Sequence, residues 1–167
     1  ARLYSGRSKI LARYRSYHGG TNLTMSLTGD PRRWAREPGA PGIIHVMDPT
    51  PYEFSFGATD EERCQNHLTY LEETIKYEGG HTIAAMMVET VTGTNGVLVP
   101  PKGWFKGLRA LLDKYGILLI CDEVMAGVGR TGKMMAYEHF EVVPDLVTMA
   151  KGLTSSYFPL GAVGMKR

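Results

Sequence analysis

The sequence predicts an α/β fold, a mostly parallel sheet with helices on both faces. Three observations lead there. Short apolar runs alternate with helical patterns along the whole chain. Several of those runs are apolar throughout rather than alternating, the mark of strands covered on both faces. And 167 residues of 43% hydrophobic composition can bury one substantial core. Three runs end in polar residues, Glu89, Asp122 and Lys151. Ligands of such sheets bind beyond the carboxyl ends of the strands, so these three set the functional question.

Residues 9–14 (KILARY) and 43–47 (IIHVM) read as the first two strands. Thr59-Asp60-Glu61-Glu62 fits a capping box, in which a threonine hydroxyl and a glutamate three positions on satisfy free amides at a helix start. The helix it opens should run to about Tyr77 with Leu68, Leu71 and Ile75 on one face, and Gly79-Gly80 should end it. Residues 83–88 (IAAMMV) predict a buried strand. Pro101 marks the start of the next helix, over 102–115; Trp104, Phe105, Leu108, Leu111 and Leu112 form its inward stripe, and Gly116 follows its end. Buried strands over 117–121 and 146–150 complete the pattern.

Composition narrows the function. A formal charge of +2 requires no polyanionic partner. Basic residues do crowd the stretch from Arg2 to Arg36, among Tyr4, Tyr14, Tyr17 and Trp34. That mixture reads as a solvated surface rather than a nucleic-acid face. Cys64 and Cys121 form no CxxC pair, which fits a reducing, cytoplasmic setting. The five histidines are scattered, with no metal-ligand spacing. No apolar run approaches the roughly 20 residues of a membrane helix, and there is no secretory signal pattern. The chain opens ARLYSGRSK, without an initiator methionine, and stops at VGMKR; it reads as a piece of a longer protein.

The stretch 118–133, LLICDEVMAGVGRTGK, admits three readings. Gly127 to Lys133 matches the start of a phosphate-binding GxxxxGK loop, but Met134 stands where that motif needs a hydroxyl, and five residues separate the loop from its strand. Its glycines are better explained by tight turns. A catalytic carboxylate pair fails on geometry, because Asp122 and Glu123 on an extended strand point to opposite faces; Glu123 is free to pair elsewhere, with Arg130 a candidate. The third reading joins Asp122 to Lys151. A desolvated lysine can attack an aldehyde as the neutral amine, and a buried carboxylate beside a pyridine nitrogen favours its protonated form. Together they suggest pyridoxal phosphate chemistry.

At this point the residues resemble a known family, the class III (omega-type) pyridoxal-phosphate aminotransferases, with the fold of aspartate aminotransferase (type I). The likeness rests on Tyr17-His18-Gly19, VETVTGTNGVLVPP (88–101), CDEVMAGVGRTG (121–132) and PDLVTMAKGLTSSYFPLGAV (144–163), in the family's order and spacing. The resemblance implies that Lys151 holds the cofactor covalently and shuttles protons, and that Asp122 meets the pyridine nitrogen. It implies that Val124 and Tyr17 cover the two faces of the ring, that His18 and Gly19 shape the loop, and that Glu89 is an acid near the cofactor. From the residues alone, Tyr17 reads rather as a surface aromatic and Val124 as core. The same resemblance makes the chain the central portion of the large cofactor-binding domain of a homodimer. The phosphate-gripping segment would lie before Ala1, and the small domain with its substrate-binding arginine after Arg167. Thr90, Thr94 and Met125 depart from many relatives, which have Pro, a gating Glu and Gln there. Those departures are similar to enzymes passing an amino group from beta-alanine, taurine or another omega-amine to pyruvate or another 2-oxo acid. An aminomutase, a decarboxylase and a catalytically silent fragment share the same signature.

Overall fold

The computed structural model describes residues 1–166. Among them, six strands form one sheet: β1 (Lys9–Arg13), β2 (Ile43–Val46), β3 (Ile83–Glu89), β4 (Leu118–Asp122), β5 (Leu146–Met149) and β6 (Ala162–Met165), in the order β2-β1-β3-β4-β5-β6. The first five run parallel. β6 pairs antiparallel with β5, an edge that the sequence reading did not anticipate. Its residues alternate between half-buried and exposed, as on an edge strand with one open face, although Ala162-Val163-Gly164-Met165 carries no polar side chain.

Four α-helices accompany the sheet: α1 (Arg2–Ser5), α2 (Asn22–Leu27), α3 (Asp60–Tyr77) and α4 (Trp104–Tyr115). α3 starts as expected: the Thr59 hydroxyl accepts from the Glu62 amide at 3.2 Å, and the Glu62 carboxylate accepts from the Thr59 amide at 3.3 Å. Such a cap contributes about 1 kcal/mol. α4 begins later than expected. The Trp104 amide bonds the Pro101 carbonyl, and Gly103 takes a left-handed turn at φ 82° before the helix opens. Proline here shapes the entry rather than the first helical position.

The expectation of helices on both faces needs refining. α3 and α4 pack on each other and on one face, where Leu71, Ile75, Trp104, Phe105, Leu108 and Leu112 join Leu11, Met86, Val88, Leu119 and Cys121. Gly107 permits that approach: a Cβ there would lie 2.3 Å from Leu68 Cδ1. The other face carries a smaller cluster, in which Leu27 of α2 covers Ile10, Ala12 and Met87. The helix-covered face is closed by His67, whose neutral ring accepts from the Trp104 indole N–H at 2.9 Å and donates to the Met47 carbonyl at 2.9 Å. Burial pushes its pKa down to about 4.

This topology makes the site. Strand order reverses between β1 and β3, and the carboxyl ends of β1, β3, β4 and β5 converge on one edge of the sheet. Doubly wound sheets place their ligands at such a reversal.

Candidate active site

Each strand delivers a different piece. β3 and β4 align Glu89 opposite Asp122, and β4 and β5 align Asp122 opposite Thr148. Residues paired in register point to the same face, so three polar side chains form a row at the sheet edge. Thr148 is a site residue that sequence reasoning missed; only its register against Asp122 reveals it.

Asp122 is 4% exposed and held by three donors. One oxygen, Oδ1, accepts from the Val124 amide at 3.1 Å and the Thr148 hydroxyl at 3.2 Å. The other, Oδ2, lies 2.7 Å from His18 Nδ1. A carboxylate can only accept, so that nitrogen carries the proton. His18 therefore does more than shape its loop. Its Nε2 is buried without a hydrogen-bond partner.

The loop after β1 is pinned by backbone contacts. The Tyr17 amide donates to Glu89 Oε1 at 2.9 Å, and the His18 amide donates to Thr28 Oγ1 at 2.9 Å. Glu89 Oε2 accepts from the Gly93 amide at 2.8 Å. This one carboxylate thus ties the 16–19 loop to the 90–96 loop. Gly29 closes the arrangement from behind, where a Cβ would lie 2.1 Å from the Arg13 carbonyl oxygen. No side chain fits there.

Lys151 follows β5 and is exposed, with a left-handed φ of 42°. A non-glycine residue in that region costs about 1–2 kcal/mol. Val128, whose Cβ lies 3.1 Å from where a Cβ on Gly152 would stand, is also left-handed, at φ 56°. Strain of this kind persists where surrounding structure enforces it, and it concentrates at functional sites.

Tyr17, His18, Gly19, Glu89, Asp122, Val124 and Lys151, the seven residues singled out from sequence, all line one cleft of about 70 Å³, together with Thr94 and Met125. A larger concavity of about 650 Å³ lies between α3 and α4, around Cys64, Leu68 and Leu111. It is lined by none of the seven.

The neighbouring acid behaves differently. Glu123 is fully buried and accepts from Thr90 Oγ1 at 2.6 Å and from the Ala136 and Tyr137 amides at 2.9 Å each. The expected pairing with Arg130 does not form. Backbone amides from the turn beyond the glycine loop take the carboxylate instead, and Arg130 is exposed. Gly129 and Gly132 adopt φ of 83° and 90°, as turn glycines do. The Lys133 amine donates to the Glu138 carbonyl.

Among the described residues, no group of three or more His, Cys, Asp and Glu side chains could hold a metal ion. No helix is long and apolar enough to cross a membrane.

Comparison with known proteins points the same way. Taurine:2-oxoglutarate aminotransferase from Bifidobacterium kashiwanohense, solved with PLP and glutamate, superposes with a TM-score of 0.93 at 49% identity, over 98% of this chain and 38% of that one. An (S)-enantioselective omega-transaminase from Thermomicrobium roseum gives 0.94 at 47% identity, over 99% and 38%. Taurine–pyruvate aminotransferase of Bilophila wadsworthia is 43% identical over 155 residues, 92% of this chain and 34% of that protein. The chain therefore spans little more than a third of the length of these relatives. The class-III aminotransferase model matches residues 1–167, and the chain belongs to that family.

Proposed function

We propose that the protein carrying this chain is a pyridoxal-phosphate-dependent aminotransferase that moves an amino group from an omega-amino compound, such as beta-alanine or taurine, to pyruvate or another 2-oxo acid. The observation that carries the reading is the single cleft in which a lysine amine and a triply held aspartate meet at the ends of adjacent strands.

The donor set fits the cofactor. An amine suits its aldehyde, a carboxylate suits a protonated pyridine nitrogen, and the Tyr17 ring and the branched Val124 suit the two faces of a flat heterocycle. When bound, the cofactor supplies an electron sink for the carbon that loses a proton. The chain's own residues do the rest. Asp122 would hold a proton at the ring nitrogen, and His18, Thr148 and the Val124 amide fix the direction in which its carboxylate points. Lys151 would hold the cofactor through its aldehyde, and the same amine, once displaced there by the donor's amine, would remove and return the proton at the substrate carbon. Glu89 keeps the two flanking loops in place.

Thr94 and Met125 support the donor class. No carboxylate stands at either position to gate an arginine, and Met125 packs against Gly93, where a Cβ would lie 2.3 Å from its sulfur. A wall without a carboxylate at these two positions avoids repelling the acidic end of a short omega-amino acid. The proposed enzyme is a cytoplasmic homodimer. Both cysteines are unpaired thiols, and exposed Tyr157, Phe158 and Leu160 follow Lys151 closely, as an interface beside the site would require.

The test is product analysis. With taurine or beta-alanine plus pyruvate, alanine should accumulate in step with donor consumption. Release of carbon dioxide, or isomerised donor with no new amino acid, would replace the reading with a decarboxylase or aminomutase.

A further inference from the structure

We infer that Arg32 is a positioning residue for Tyr17, its guanidinium backing the phenol ring so that the opposite ring face forms a wall of the cleft. The inference rests on the cofactor reading above and goes beyond it. The Arg32 guanidinium carbon lies 3.9 Å from the Tyr17 ring centroid. The other cation–ring pairs among the described residues stand at 5.5–5.9 Å. Tyr17 lines the cleft and Arg32 does not, which fits a cation that backs the ring from outside while reaching Thr94 at the cleft's rim.

Arg32 is itself held. Its Nε donates to both Asp30 oxygens at 3.0 Å, Nη2 also bonds Asp30 Oδ2, and Nη2 reaches Thr94 Oγ1 at 3.0 Å. Asp30 is 5% exposed and accepts from the Arg32 amide and from Asn95 Nδ2 as well. Burial pushes the Asp30 carboxyl upward, but the bonds from Arg32 and Asn95 outweigh it and hold it below its ordinary value. The arginine is thus anchored to the turn over residues 31–36 and to the loop bearing Thr94 before it touches Tyr17. A tyrosine side chain can hop between staggered rotamers unless its neighbours select one. Arg32 supplies the outer face, and the cofactor ring would supply the inner one.

A double-mutant cycle in the full-length enzyme carrying this chain, stripped of cofactor and then titrated with pyridoxal phosphate, tests the idea. Arg32→Ala and Arg32→Gln should each raise the dissociation constant for pyridoxal phosphate by about two- to fivefold, the size of one exposed cation–ring contact. They should also diminish the dichroism of the bound cofactor band. Arg32→Lys, which keeps a cation near the ring, should recover part of both. In a Tyr17→Leu background, Arg32→Ala should have no further effect, because the ring through which it acts is gone. An equal loss in both backgrounds would show that Arg32 grips the cofactor or substrate directly and would overturn the inference. So would variants that lower only the melting temperature. A wild-type enzyme with no borohydride-trapped cofactor would instead sink the underlying functional reading.

Discussion

The two fully buried histidine side chains of this molecule sit in opposite kinds of surroundings. His67, on the helix-covered face, has both ring nitrogens satisfied, one by Trp104 and one by the Met47 carbonyl. His18, at the carboxyl end of the sheet, meets Asp122 with one nitrogen and leaves the other buried and unpartnered. The adjacent acids repeat the contrast. The Glu123 carboxylate is taken up by Thr90 and by the amides of the turn at 136–137, whereas Asp122 is aimed into a cleft. A closed polar network fixes a fold; one left open toward a cleft is arranged for something that arrives later. Perturbing the two regions should therefore give different signatures.

The largest effects should come from the open region. Lys151→Ala should lower turnover on the order of a thousandfold or more and abolish the borohydride-stable cofactor adduct, since no other amine lines the cleft. Asp122→Asn should keep the adduct and slow proton abstraction by about 10²–10⁴-fold, because a neutral amide no longer holds the ring nitrogen protonated. One variant loses the covalent cofactor and the other only the rate. A trappable adduct in Lys151→Ala, or normal turnover in Asp122→Asn, breaks the comparison at its strongest point.

A second outcome concerns affinity. Among the described residues, Lys151 is the one lysine or arginine lining the cleft, and the proposed reading commits its amine to the aldehyde. Phosphate groups bind through clustered amides, hydroxyls and cations. The 167-residue chain prepared by itself should therefore take up pyridoxal phosphate weakly. An absorbance titration reaching saturation at one equivalent would contradict this.

The closed region should respond in stability alone. With His67 buried and neutral, its folded pKa of about 4 lies below the ordinary 6.5. The unfolded chain takes up the proton first, so stability is complete above pH 6.5, declines as the pH falls through the window, and has lost this contribution below about 4. The loss amounts to about 3 kcal/mol. Trp104→Phe, which leaves the His67 acceptor buried and unpaired, should cost about 2–3 kcal/mol at neutral pH. Chemical denaturation at several pH values measures both, and the cofactor spectrum should not change.

What the sequence revealed and what it hid divide along physical lines. The strand ends bearing Glu89, Asp122 and Lys151 were legible because burial on both faces writes itself into consecutive apolar residues, and the start of α3 because its cap is local. The grip of His18 on Asp122 spans 104 positions, and no local pattern encodes it. Glu123 defeated pairing by charge, because its partners are amides, which every residue carries. Arg32 stood in a basic stretch that reads as solvated surface until folding brings Tyr17 and Asp30 beside it. β6 was missed although Ala162–Met165 is apolar throughout, because so short a run does not tell which strand it pairs with or in which direction.

The smallest expected effect tests the closed network at its edge. Thr90 is fully buried, and its hydroxyl donates to Glu123 Oε1 at 2.6 Å, joining the ends of β3 and β4. Thr90→Val keeps the shape and removes the donor. The Tyr137 amide still donates to the same oxygen, so the carboxylate remains partly satisfied, and the cost should be about 1 kcal/mol. Because Glu123 holds the turn at 136–137 rather than the cofactor, the loss should appear in the denaturation midpoint and leave the cofactor spectrum and turnover within about twofold. Pairing the change with Glu123→Gln should give less than the sum of the two single costs, since both remove one hydrogen bond. A Thr90→Val enzyme of normal stability but altered cofactor absorbance would mean that this threonine belongs to the open region with Glu89, and that the boundary between the two networks runs one residue beyond the end of β3.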